Sequence, residues 1–265
     1  MTQSAIGLEQ AIWLEKLSRE RSEMSKNFEL LQEIAKEDLL TPASVSLPRP
    51  KAMSPAPTGL ANEEITKLVH RLFLNGGQTD IPRVVSFSGI ARADRSSWIC
   101  ACAAESLASQ ADNSVCLVDA NFWLPRLHTY FGADNRRGLA DALFAEGLIR
   151  SFTTPLSTRN LWLMPSGSAK GDLYTHVERC RARFAELREE FNYILISAPP
   201  LTRETEATLV GHVADGVVLI VEANQTRRES VRQAKERLKT SQIQLLGAVL
   251  DQRTFPIPEF LYRKL

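Results

Sequence analysis

Residues 83–105 read RVVSFSGIARADRSSWICACAAE, and this stretch decides the fold. Its first part, VVSFS at 84–88, is a short apolar run rich in β-branched residues, which predicts a strand over Arg83–Ser88. The next nine residues, GIARADRSS at 89–97, carry no apolar period and read as a tight loop. From Trp98 the run WICACAAESLA predicts a helix to Ser109. A strand, a tight loop and a helix start form an anion cradle, because exposed backbone N–H groups and the helix dipole converge on one point.

Working outward, the same order of elements repeats along the chain. Further strands are expected at Ser114–Asp119, Leu161–Pro165, Tyr193–Ser197, Gly216–Glu222 and Leu245–Leu250. Runs such as VVLIV at 217–221 are apolar throughout, as befits strands covered on both faces. Helices are expected at Ala61–Asn75, Gly138–Ala145, Thr175–Glu190, Glu204–Val213 and Arg228–Ser241. Such alternation predicts an α/β fold, a mostly parallel sheet with helices on both faces and right-handed crossovers. Ligands of such sheets sit beyond the carboxyl ends of the strands.

Ahead of this domain, which is expected to fill residues 60–265, lie two other segments. Residues 1–40 form an N-terminal helical extension: Leu14, Leu17, Met24, Phe28, Leu31 and Ala35 recur at helical spacing. That stripe suits either a docking or coiled-coil helix or one folded back on its own domain. Residues 41–59, TPASVSLPRPKAMSPAPTG, are dense in proline, serine and alanine and read as an extended linker.

The bulk properties narrow the partners. Lys and Arg number 32 against 31 Asp and Glu, for a net charge of +1, which disfavours non-specific attraction to nucleic acid or acidic membranes. No apolar run reaches the length of a membrane span, and the first ten residues lack the layout of a secretion signal, so a cytoplasmic location is expected. The four cysteines, at 100, 102, 116 and 180, have neither zinc-ligand nor disulfide-framework spacing and read as small buried hydrophobes.

The loop can be set against the phosphate-binding pattern G-x-x-x-x-G-K-[ST], in which glycines let the backbone approach the phosphates and lysine reaches the outer ones. Ala93 and Arg95 stand where glycine is expected, Ser96 stands at the lysine position, and Ser97 keeps the hydroxyl that would meet magnesium. Arg92 and Arg95, flanking Ala93 and Asp94, suit either a substitute phosphate contact or a solvated loop.

Three later pieces follow in order: DANFWLP at 119–125, SAPP at 197–200, and Ala214, Asp215, Gly216, Val217 ahead of a strand. Together with the loop they resemble the bacterial tyrosine-kinase family of capsular and exopolysaccharide systems, a branch of the MinD/ParA-like P-loop ATPases. The likeness runs from about Ala61 to Leu250. It implies a P-loop NTPase-like fold, ATP and magnesium as cofactors, and a membrane polysaccharide co-polymerase, or chain-length protein, as partner at the inner face of the plasma membrane. It also implies homo-oligomers, with Glu64, Lys67 and His70 in place of a Glu-x-x-Arg-x-x-Arg pattern, or else an ordinary solvated face.

The departures fall where the chemistry would occur. Asp119 matches the aspartate that helps to hold magnesium and activate the attacking hydroxyl, and the same residue suits a strand-end cap. Asn121 stands where the family has a second aspartate, Trp123 where it has arginine, and Ser197 where it has a metal-associated aspartate. Tyr262 alone replaces the usual tyrosine cluster and suits either a phosphorylation target or an amphipathic tail anchor. Phosphoryl transfer rests on positioned positive charge and metal. The expectation is a kinase-like protein with impaired catalysis that acts as a regulatory partner; an active autokinase and a MinD/ParA-like positioning ATPase are the alternatives.

Overall fold

The computed structural model describes residues 60–74, 81–91, 94–169 and 176–252. All of these fall in one compact unit, Arg49–Leu265. The expected N-terminal helix, the linker and the tail with Tyr262 lie outside the described residues.

Seven strands form one sheet: β1 Val84–Gly89, β2 Val115–Asp119, β3 Thr154–Pro155, β4 Leu161–Met164, β5 Tyr193–Ser197, β6 Gly216–Glu222 and β7 Leu245–Asp251. Their order is β3-β4-β2-β5-β1-β6-β7. Every pairing is parallel except that of β3 with β4. The α/β expectation is met, with strand ends within a residue of those read from the pattern. β3 was not foreseen: two residues, one of them proline, carry no period and suit only a sheet edge.

The helices are α1 Leu60–Val69, continued by a π turn at His70–Leu74, then α2 Asp94–Gln110, α3 Leu127–Phe131, α4 Leu139–Phe144, α5 Val177–Glu190, α6 Glu204–Val213 and α7 Arg228–Thr240. One face of the sheet carries α1, α2 and α3, packed around Phe73, Leu107, Phe87, Leu117 and Leu195. The opposite face carries α4, α5 and α6 around Phe152, Phe184, Phe191 and Ile196. On that face α7 joins α6 through Leu201, Ala234, Leu238 and Ile243. β1 is buried along its whole length, as is β2.

Helix α2 is the centre of the first layer. Its run of Cys100, Ala101, Cys102, Ala103 and Ala104 is buried to 1% exposure or less. Side chains this small let α1 and the sheet approach α2 from both sides. The four cysteines are free and buried, as expected. Burial pushes the Cys102 thiol up to about 12 and the Cys180 thiol up to about 11, so they stay protonated and inert.

Chain direction places the crevice. From β1 the chain crosses on one face through α2 to β2, while from β5 it crosses on the other face through α6 to β6. β1 and β5 are neighbours, so the connections part between them, which is where open α/β sheets bind ligands.

At the opposite end of the sheet Asp215 anchors β1. One of its carboxylate oxygens accepts the N–H groups of Arg83 at 2.7 Å and Val84 at 2.8 Å, and the other accepts Arg188 Nη2 at 2.7 Å. Burial alone would raise this carboxyl, but Arg188 and those N–H groups hold it below its usual value. Gly216 follows because β7 passes close by: the Gln244 carbonyl oxygen lies 2.9 Å from where a Cβ would stand. The Ala-Asp-Gly-Val segment is thus a fold anchor, at the end of the sheet away from the crevice.

Candidate functional site

Helix α2 begins at Asp94, four residues earlier than the pattern suggests, because the polar first turn lacks the apolar spacing that marks a helix. Arg95, Ser96 and Ser97 therefore belong to its first turn. Arg92 and Ala93 lie outside the described residues, as does the side chain of Asp94.

Ser96, at the lysine position, is wholly buried, as is Ser97. The Ser97 hydroxyl lies 2.8 Å from the Ser197 hydroxyl, so the start of α2 is bonded directly to the end of β5. The structure thus brings together two residues that the sequence places 100 positions apart. Beside them Ser88, not singled out by the sequence pattern, donates to the Pro199 carbonyl at 2.7 Å and holds the loop after β5 against β1.

Arg95 turns away to the end of β7. Its Nε and Nη2 meet the two carboxylate oxygens of Asp251 at 2.6 and 2.8 Å. The guanidinium also lies 4.6 Å from the centre of the Trp98 ring. A fork-on-fork pair with Asp251 only 11% exposed is a strong contact, and it occupies the arginine that stood as a substitute phosphate ligand.

Asp119, at the end of β2, is fully buried. Its Oδ1 accepts the Asn121 N–H at 3.2 Å, and its Oδ2 accepts the N–H groups of Arg126 and Leu127, both at 3.0 Å. Those last two donors open α3, so the strand-end aspartate caps the next helix from eight residues upstream. Burial pushes its carboxyl up to about 6, with the N–H donors of Leu127, Asn121 and Arg126 holding back part of the rise.

This rise gives a pH prediction. Between an unfolded value near 3.8 and a folded value of about 6, the native state keeps a proton that the unfolded chain has lost. Stability from this group therefore falls as pH rises through that window. Asp119→Asn has no such proton. Urea denaturation should find the stability gap between parent and variant shrinking by up to about 3 kcal/mol from pH 4 to pH 7. A constant gap contradicts the assignment.

The loop from β2 to α3 crosses towards α6. Asn121, 1% exposed, donates through Nδ2 to the Leu124 carbonyl at 3.3 Å and closes the turn. Trp123 is 60% exposed, yet its indole N–H donates to Glu206 at 3.3 Å and its ring lies 3.7 Å from the Arg203 guanidinium. Arg203 and Glu206 were not foreseen; they are distant in sequence and show only as an ordinary charged helix start. On α1, Glu64 and Lys67 form an exposed ion pair at 2.7 Å.

Among the described residues no group of three or more His, Cys, Asp or Glu is placed to hold a metal ion. No helix among them is long and apolar enough to cross a membrane.

No family model matches the chain. It is 28% identical over 153 residues to tyrosine-protein kinase YwqD of Bacillus subtilis, covering 54% of this chain and 61% of that protein. It is 26% identical over 197 residues to tyrosine-protein kinase wzc of Salmonella typhimurium, covering 74% of this chain and 27% of that protein. The chain thus spans less than two thirds of the length of these relatives. Among solved structures, the chimerical protein CapA2B2 matches with a TM-score of 0.69 at 20% identity, over 75% of this chain and 88% of that one. The septum site-determining protein MinD of Pyrococcus horikoshii, complexed with Mg-ADP, matches with a TM-score of 0.52 at 16% identity, over 69% and 76%. These structural likenesses show the fold alone, the mostly parallel α/β sheet with helices on both faces.

Proposed function

We propose that this chain, a relative of the bacterial tyrosine-protein kinases, is a catalytically impaired member of that group with a degenerate phosphate loop. It acts as a regulatory partner in the assembly of capsule or exopolysaccharide, bound to a membrane chain-length protein at the cytoplasmic face. The observation that carries the reading is the buried Ser97–Ser197 hydroxyl pair at the mouth of the crevice. In this reading Ser197 stands where a metal-holding carboxylate is needed, and its hydroxyl engages the one that would meet magnesium.

Magnesium–ATP fits the remaining groups poorly. Ser96 offers a buried hydroxyl in place of an ammonium. Asp119 already accepts three backbone N–H groups, and Arg95 is taken by Asp251. Phosphoryl transfer depends almost wholly on positioned cations, so losing them together removes most of the catalysis. Incubation of the full chain with Mg-ATP, read with an anti-phosphotyrosine antibody and by mass spectrometry, is expected to leave Tyr262 unmodified. Phosphate on Tyr262 that disappears in Asp119→Ala would establish the active autokinase instead.

One observation favours a second reading, a positioning protein that rides on DNA or membrane. Arg228, Arg232, Lys235 and Lys239 stand exposed along one side of α7, although the chain as a whole is nearly neutral. Duplex DNA binding that weakens steeply with salt, and is lost on reversing these charges, would support it.

A further inference from the structure

At the amino-terminal end of the sheet, away from the crevice, lies a cavity of about 700 Å³. That volume is typical of sites for small organic molecules. Among the described residues Arg71, Arg83 and Arg188 line it, against one carboxylate, Asp215. The rest of the wall is mainly apolar and includes Leu72, Ile81, Leu245 and Leu246.

Two of the arginines are held rigid. Arg83 donates from Nε to the Asn192 carbonyl at 3.0 Å, and from Nη2 to the carbonyls of Arg188 at 2.8 Å and Phe191 at 2.9 Å. Arg188 uses Nη2 alone, towards the Val213 carbonyl at 3.1 Å and Asp215 at 2.7 Å. Nη1 of Arg83, and Nε and Nη1 of Arg188, keep N–H groups that no described residue takes up. Guanidinium groups fixed on one side with donors left over on the other are preorganised for an anion.

Structural duty accounts for part of this lining. Arg83 and Arg188 satisfy carbonyls at the ends of α5 and α6, a standard use of arginine. It does not account for Arg71, which extends from the π turn with no hydrogen bond to any described residue. Nor does it account for Ile81, left 38% exposed at the same cavity. A cation with no partner among the described residues, beside the part-exposed Ile81, suits a ligand with both characters.

We infer that this cavity binds a small amphipathic organic anion: a phosphate or carboxylate head on the arginines, with an apolar body against Leu72, Ile81 and Leu246. The cavity shares no described residue with the crevice.

The test uses the full chain and four probes: phenyl phosphate, benzoate, phenol and inorganic phosphate. Titration calorimetry is expected to show binding of phenyl phosphate or benzoate, with the stronger of the two naming the head group. Phenol, lacking the charge, and inorganic phosphate, lacking the body, are expected to bind at least about tenfold more weakly. Arg71→Glu should weaken the anion by about tenfold or more, and Arg71→Lys should restore part of the loss. Ile81→Ser should weaken it while Arg228→Glu, on α7, leaves it as in the parent. Arg71 is exposed, so these variants should melt with the parent. No binding of either organic anion at millimolar concentration overturns the inference, as do equal affinities for phenol or for the Arg71→Glu variant.

Discussion

Asp119→Ala is expected to cost about 2–4 kcal/mol of folding stability at neutral pH, the largest loss from any single polar change at the crevice. The carboxylate serves Asn121, Arg126 and Leu127 at once, so alanine strands three backbone N–H groups around a fully buried position. A stranded buried donor costs about 1–3 kcal/mol, and relaxation of the loop recovers part of the sum. Urea denaturation followed by circular dichroism gives the number. Proteolysis of the native protein should also turn towards the segment after β2, because α3 loses its cap. A change within about 0.5 kcal/mol would mean that the carboxylate is not the anchor described.

Asp215→Ala is the second large effect, about 2–3 kcal/mol, at the other end of the sheet. The side chain is part-exposed, so water can replace some of what is lost. Even so, it fastens the N–H groups of Arg83, just ahead of β1, and Val84, its first residue, and neutralises Arg188 in one stroke. By contrast, Glu64→Ala breaks an exposed pair on α1 and should change stability by no more than about 0.5 kcal/mol. Comparing the two variants in one denaturation series separates a part-buried strand anchor from a surface ion pair. Equal effects would contradict the role given to Asp215.

These two aspartates show what sequence can and cannot convey. The sheet was legible because strands such as VVLIV at 217–221 have both faces covered, and a continuous apolar run is the direct trace of that burial. β3 left no such trace, being two exposed edge residues. The five-residue α3 was also missed, since its start is set by Asp119, outside any local window. Asp119 itself was legible as a candidate, with two readings open. Its three backbone partners support the capping one.

The site was legible as a position but not as an arrangement. Ser97 and Ser197 could each be named from their place after a strand, yet nothing local says that their hydroxyls meet. Arg95 reads either as a phosphate contact or as a solvated loop cation, and it pairs instead with Asp251, 156 residues away. Trp123, through Arg203 and Glu206, joins the β2 loop to the start of α6. Long-range polar pairs of this kind depend on which strand ends are neighbours, and that is decided by sheet order rather than by any period in the chain.

We propose that the crevice keeps the frame of a nucleotide site without the charges that hold a nucleotide. Titration calorimetry of the full chain with ATP, with and without magnesium, tests it most directly. No saturable heat is expected up to millimolar ATP, and no difference on adding magnesium. Micromolar binding that requires magnesium, and that is abolished by Ser97→Ala, would contradict it.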